Sequence, residues 1–241
     1  MKKRSLFTAG LALLFSTATV SVQAGSPVVV ELFTSQGCSS CPPADKVLAE
    51  LSTRDDIIAL SWAVDYWDYL GWKDTNASAA NTMRQRVYNN ALGRRIVYTP
   101  QMILDGKTHL VGSNKPKVMK TIETFNAQSD DKMDVTIERD ADGQLTAHLA
   151  DMDISEKAVV RMIWFDDAKT VKVGRGENRG KELTYHNVVR GSQVIGQFDG
   201  QETSFNLPIE DAMAMDCDSV AVLVQADPAG PVIGAAQARI N

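Results

Sequence analysis

Two thiols three positions apart, Cys38 and Cys41, are the side chains of this sequence best placed to do chemistry. They lie in Glu31-Leu32-Phe33-Thr34-Ser35-Gln36-Gly37-Cys38-Ser39-Ser40-Cys41-Pro42-Pro43-Ala44-Asp45, between a β-branched apolar run and an amphipathic segment. A thiol at a helix N-terminus meets the positive end of the dipole and free backbone N–H groups, which favour the thiolate. A thiolate beside a second thiol can perform disulfide exchange. The competing reading is a permanent local disulfide. Such a bond closes a very short loop and constrains little unfolded-chain entropy, so exchange is the stronger reading. Zinc normally needs four ligands, and here one Cys-x-x-Cys pair stands with His109, His148 and His186 on separate expected strands. Copper(I) between the two thiolates is a lesser possibility; no metal and no cofactor is expected.

The elements that must position this pair follow from periodicity. Val28 to Phe33 reads as a buried strand, Pro43 to Leu51 as a helix with Val47, Leu48 and Leu51 on one face, and Ile57 to Trp62 as a second strand. Ser78 to Leu92 and Lys115 to Ala127 read as helices. Between them Gln101–Leu104 and Thr108–Val111 flank Asp105-Gly106, a strong hairpin turn. The order β-α-β-α-β-β-α requires parallel strands joined by crossovers, with an antiparallel edge. It defines an α/β unit over residues 25–128.

After Ser129 helical periodicity gives way to short strands: Met133–Arg139, Gln144–Leu149, Ala158–Phe165, Thr170–Val173, Leu183–Val189, Val194–Phe198, Thr203–Leu207 and Val220–Gln225. A β-rich, sandwich-like unit over residues 132–241 is the natural expectation. Gly174-x-Gly176-x-x-x-Gly180 lies between strands, so it is not a dinucleotide fingerprint, which needs a strand-to-helix turn. It is expected to be a loop, one able to fold over the first unit.

Residues 1–24 have the grammar of a signal peptide: Lys2-Lys3-Arg4, an apolar stretch from Leu6 to Val20, then Val22-Gln23-Ala24. The mature chain is expected in the periplasm or outside the cell, without stable membrane insertion. Loss of three cations moves the formal charge from −5 to −8. An acidic chain without a basic cluster argues against nucleic-acid partners and anionic membranes. Three cysteines leave Cys217 over after a Cys38–Cys41 pair, and its acidic neighbours Asp216 and Asp218 blunt its reactivity.

The first half resembles the thioredoxin fold. The marks are Cys38-Ser39-Ser40-Cys41 after the first strand and Tyr98-Thr99-Pro100 before the hairpin, where thioredoxin-like proteins carry a cis-proline. That resemblance implies Cys38 as exposed attacking thiol, Cys41 as buried resolving thiol, and Pro100 as the residue that shapes the groove. Thr99 would offer backbone hydrogen bonds to a bound chain. It also implies a buried acid on the first strand. Glu31 is the candidate base, with a solvated strand-end carboxylate as the alternative. Ser39-Ser40 matches neither a reducing Gly-Pro nor an oxidising Pro-His interior, and both directions of electron flow fit.

Val30–Asp45, Val64–Asp74, Tyr98–Met102, Gly176–Gly180 and His186–Val189 together resemble the DUF1223 family of exported, thioredoxin-like proteins. Ala63 departs from the pattern, where a histidine is expected before Val64-Asp65-Tyr66-Trp67-Asp68. In that segment Tyr66, Trp67 and Trp72 follow the second strand, where loops line binding sites of α/β sheets. They are expected to wall a groove beside Cys38, with an ordinary buried core patch as the alternative. The reading that results is an exported thiol–disulfide oxidoreductase acting on a protein or small-molecule thiol or disulfide. A non-catalytic binding module on the same fold is the alternative.

Overall fold

The computed structural model describes residues 26–240, so the signal-peptide reading lies outside the described residues. The first strand, β1 (Val28–Thr34), is buried along its whole length. Val28, Val30 and Leu32 pack with Ala44, Val47, Leu48 and Leu51 of helix α1 (Pro42–Leu51). Val29 and Phe33 point the other way and join Tyr88. This is the two-residue period of a strand covered on both faces, which is why its sequence is a near-continuous apolar run. Strand β2 (Ile57–Ala63) lies parallel to β1, from Val28 beside Ile57 to Thr34 beside Ala63. A parallel pair needs a crossover, and α1 supplies it.

Helix α2 (Ala79–Ala91) starts at Ser78, whose side chain accepts the Asn81 N–H. Strands β3 (Gln101–Leu104) and β4 (Thr108–Val111) and helix α3 (Lys115–Asn126) follow. β3 runs antiparallel to β1 and turns into β4 through Asp105 and Gly106, both at positive φ. In this half the elements come in the order β1-α1-β2-α2-β3-β4-α3, and their ends lie within one residue of those read from the sequence.

The second half holds β5 (Val135–Arg139), β6 (Leu145–Leu149), β7 (Ala158–Lys172), β8 (Glu182–Phe198), β9 (Thr203–Asn206), a short α4 (Glu210–Ala214), β10 (Ser219–Ala226) and β11 (Val232–Arg239). Its strands are not confined to a sandwich of their own. One mixed sheet of eight strands runs β11-β10-β7-β8-β2-β1-β3-β4, with Ser61 of β2 beside Val188 of β8. A separate sheet, β5-β6-β9, packs on one part of it. There Leu145, Ala147 and Leu149 share a cluster with Val160, Met162, Val220 and Val222. The two-layer arrangement is thus local, and a backbone ladder joins the halves.

Four expected strands merge into two long ones. The polar breaks that suggested loops are irregularities inside the β7–β8 ladder, which shifts register between Trp164 and Phe165. Asp166 is buried there and paired with Arg190 and Lys169. Gly191 lies under Trp164, and a Cβ at Gly191 would stand 2.2 Å from the indole. β11 was not anticipated, because Val232-Ile233-Gly234-Ala235-Ala236 is poor in strand-forming bulk. The small residue has a reason: a Cβ on Gly234 would meet Met133 at 2.3 Å.

One feature of this ladder bears on the site. β10 flanks β7 only from Ala158 to Phe165. Beyond that β7 and β8 continue as a two-stranded arm, from Ala168 beside His186 to Lys172 beside Glu182. Residues 173–181 form the tip.

Candidate redox site

Cys38 and Cys41 form a disulfide with Cα atoms 5.4 Å apart, within the usual span for such a bond. Cys41 is the N-cap of α1, and Pro42 and Pro43 occupy its first positions. Proline suits those positions because the amides lost there have no partner inside the helix. The turn is held by Cys38 N–H to Ser35 O and Cys41 N–H to Cys38 O, at 3.1 and 3.2 Å. The hydroxyl of Ser40 lies 3.4 Å from Cys38 Sγ. Both cysteines have 0% of their surface exposed. Cys41 is buried as expected. Cys38 is not the exposed thiol that the resemblance implied.

Part of the cover comes from the aromatic segment after β2. Trp67 packs its Cβ against Gly37, where a side chain would approach it to 3.1 Å. Its indole N–H donates to Thr99 Oγ1 at 2.8 Å. This contact ties the cysteine turn to Thr99-Pro100, whose peptide bond is cis. Trp72 donates its indole N–H to Gln36 Oε1 at 2.9 Å. Tyr66 is half-buried, and burial pushes its phenol up to about 12. Tyr69, by contrast, is 80% exposed. The acids among these rings are structural: Asp74 accepts the Gln36 and Asn76 amides, Asp65 accepts the Thr82 hydroxyl, and Asp68 accepts the Asp74 amide.

The tip of the β7–β8 arm also packs on the turn. The carboxamide of Asn178, fully buried, donates to Gln36 O and Cys38 O at 2.9 Å each. Its oxygen accepts from Lys181. Glu177 accepts the Ser39 N–H at 3.0 Å, and hydrogen bonding from Ser39 holds its carboxyl below the ordinary value. Gly174 abuts Trp72, whose ring a Cβ would meet at 2.8 Å. The glycine-rich stretch is a loop, as its place between strands suggested, and it folds over the first half. Arg175 and Arg179 are exposed on it.

Glu31 is buried, which removes the solvated alternative, yet it is not turned toward the cysteines. It shares the face of Val29 and Phe33, opposite α1, and binds Arg84 through both oxygens at 2.6 and 2.9 Å. The Tyr88 hydroxyl donates to the same carboxylate. Gln225 donates to the Tyr88 oxygen and completes a network between α2, β1 and β10. A charge pair so enclosed anchors α2 on the sheet and leaves the carboxylate unfit as a base for Cys41.

A different acid lies on the cysteine side. Asp45 sits one helical turn after Cys41 and donates its amide N–H to the Cys41 carbonyl. Thr34, on the α1 face of β1, donates its hydroxyl to Asp45 Oδ1 at 2.7 Å. Asp45 Oδ2 is buried without a hydrogen-bond partner. Burial, reinforced by the charge of Asp74 against the Thr34 bond, pushes Asp45 from 3.8 to about 7. Burial also raises Asp74. The arm brings Tyr185 into the same region: its hydroxyl is buried without a partner, and burial followed by the charges of Asp45 and Asp74 raises it. Cys217 is remote from this chemistry. It is buried in the cluster under β5-β6-β9, and burial and then Asp166 push its thiol up to about 11.

The family model described as protein of unknown function (DUF1223) matches residues 29–225. This chain belongs to the DUF1223 family. Among solved structures it is similar to protein AGR_C_4864 from Agrobacterium tumefaciens, at 34% identity and a TM-score of 0.79, over 91% of this chain and 96% of that one. HBP35 of Porphyromonas gingivalis matches with a TM-score of 0.58 at 13% identity, over 90% of this chain and 76% of that one, a likeness of fold alone. No curated protein matches.

The DUF1223 match spans every component of the site: the cysteine turn, the aromatic segment, Thr99-Pro100 and the arm tip. Sequence reasoning singled out Cys38, Cys41, Thr99, Pro100, Tyr66, Trp67 and Trp72, and Trp67 joins the turn to Thr99 as described above. It missed the roles of Gln36, Asp45, Asp74, Glu177 and Asn178. Asp45 had a readable signal: an acid four residues after Cys41, beside Ala44, Val47 and Leu48 on the apolar stripe of α1. The partners of Asn178 carried no local signal, because they lie about 140 residues away in sequence.

Proposed function

We propose that this DUF1223 protein is an exported thiol–disulfide oxidoreductase built on a thioredoxin-like unit, residues 25–128, with the β-rich half closing over it. The observation that carries the reading is the Cys38–Cys41 disulfide at the start of α1, linked through Trp67 to Thr99 and the cis Pro100. The basic and apolar start of the chain supports export to the periplasm or beyond.

In the oxidising direction a client thiolate attacks Cys38 Sγ. The Cys38–Cys41 bond breaks, a client–Cys38 disulfide forms, and Cys41 leaves as a thiolate. A second client thiolate then attacks the client sulfur and releases Cys38. Two electrons pass from client to protein, and the client gains one disulfide. The reverse sequence reduces a client disulfide. A carboxyl near neutrality suits proton exchange with a leaving thiolate, and Asp45, at about 7 and one turn from Cys41, replaces Glu31 in that part. Pro100 and Thr99 shape the docking groove, and Tyr66, Trp67 and Trp72 wall it.

Equilibration in thiol redox buffers, read by alkylation and mass, tests the proposal. Exchange predicts a reversible two-electron midpoint within the span of catalytic pairs, roughly −120 to −270 mV. A midpoint below about −300 mV, the range of structural disulfides, would overturn it. The burial of both sulfurs favours a second reading, a binding module with a permanent disulfide, and the same titration separates the two.

A further inference from the structure

The sulfurs of Cys38 and Cys41 have no exposed surface, yet exchange requires a thiolate to reach one of them along the S–S axis. The residues that seal the turn come in part from the other half of the protein, at the tip of the β7–β8 arm. Asn178 gives both carboxamide hydrogens to backbone carbonyls of the turn, Gln36 O and Cys38 O, and Glu177 takes the Ser39 N–H. Two donated hydrogens and one acceptor, all to main-chain groups, form the pattern that an extended polypeptide would offer the same turn.

The tip is largely exposed. Past Phe165 the arm leaves β10 and continues as two strands, with buried Tyr185 of β8 holding its base against the first half. Gly174, Arg175, Glu177, Arg179 and Gly180 are exposed, and Gly176 and Gly180 turn the chain at φ of 76° and 80°. Val173 and Lys181, hydrogen-bonded across the base of the loop, close it off from the arm. Asn178 is the buried residue by which the tip grips the turn, and losing its hydrogens would leave Gln36 O and Cys38 O without those donors.

We propose that the arm tip is a strap latched by Asn178 that occupies the place of an extended polypeptide client, and that such a client opens it by taking over its contacts with the redox turn. The proposal rests on the exchange reading for its biological use, but it concerns the reactivity of the disulfide, which is measured without a physiological client.

The test is the rate at which excess dithiothreitol reduces the oxidised protein. One dithiothreitol thiolate attacks Cys38 Sγ and displaces Cys41; its second thiol then displaces Cys38, and the reagent leaves as its cyclic disulfide with two electrons transferred. Asn178→Ala is expected to speed this reaction about tenfold or more. A reduced, extended peptide carrying one cysteine supplies its own N–H groups to the turn. In excess, one peptide thiolate forms the mixed disulfide with Cys38, a second displaces Cys38, and the peptide leaves as its disulfide-linked dimer. With this peptide the gain should stay below about threefold. Equal gains with both reagents would overturn client mimicry, and rates within twofold of wild type for both would overturn the strap altogether. Should Asn178→Ala also unmask buried Cys217 to alkylation, the fold has loosened and the exposed Glu177→Ala decides instead. A gain of about threefold with dithiothreitol then supports the strap, and a smaller one overturns it. A faster rate combined with a midpoint below the exchange range would uphold the strap while refuting the oxidoreductase reading.

Discussion

Asp45→Asn removes the buried carboxyl one turn of α1 after Cys41, and its effect on stability can be worked from the structure. A carboxyl whose folded value lies above its unfolded one binds more protons in the folded state at pH values between the two. For Asp45 those values are 3.8 and about 7. Its penalty is therefore absent below the lower value, grows as pH rises, and is constant above the upper one. Three pH units at 1.36 kcal/mol each give about 4 kcal/mol in full, of which about 3 kcal/mol develops between pH 5 and pH 8. Asparagine keeps an acceptor for Thr34 and does not titrate. Urea unfolding of the oxidised proteins at both pH values should thus show the variant gaining about 3 kcal/mol on wild type between pH 5 and pH 8. In melting temperature this is roughly 6–12 °C, at about 2–4 °C per kcal/mol for a chain of this size. Any fixed cost of the substitution, such as the new amide facing the unpartnered Oδ2 site, cancels in that difference. A wild-type-to-variant difference constant with pH to within about 0.5 kcal/mol would refute the reasoning.

Other consequences follow from the same geometry. Arg84→Met strands the buried Glu31 carboxylate and should cost about 3–5 kcal/mol by urea unfolding. Adding Glu31→Leu should restore most of that loss, and no recovery in the double variant would contradict the ion-pair account. In the reduced Cys41→Ser protein, Glu177→Gln removes an anion from the amide next to Cys38 and should shift iodoacetamide alkylation of Cys38 to lower pH. An unchanged pH profile would remove Glu177 from the electrostatics of the turn. Cys217, buried and pushed up to about 11, should resist alkylation at pH 8 until the protein unfolds, and labelling of the native protein would show that its cluster opens.

The part of the fold set by local pattern was legible in the sequence. Apolar runs and helical stripes gave the β-α-β-α-β-β-α order, and Asp105-Gly106 gave the β3–β4 turn. The fusion of the two halves into one sheet was not legible, because it depends on β2 meeting β8, strands more than 100 residues apart. Glu31 shows a subtler failure. Its parity with Val29 and Phe33 puts it on one known face of β1, but the sequence does not say which face α1 covers. The cysteine pair and the Thr99-Pro100 mark were visible as types and spacing. The burial of Cys38 was not, since part of its cover arrives on Asn178 from the far end of a hairpin.

The central claim is that Cys38 exchanges disulfides with a client. Its most direct test is Cys41→Ser expressed with the native N-terminal segment, followed by non-reducing separation of the complexes. Without the resolving thiol, the account predicts mixed disulfides through Cys38 that disappear on reduction and are missing in a Cys38→Ser control. A folded Cys41→Ser protein that yields no such species above that control would contradict it.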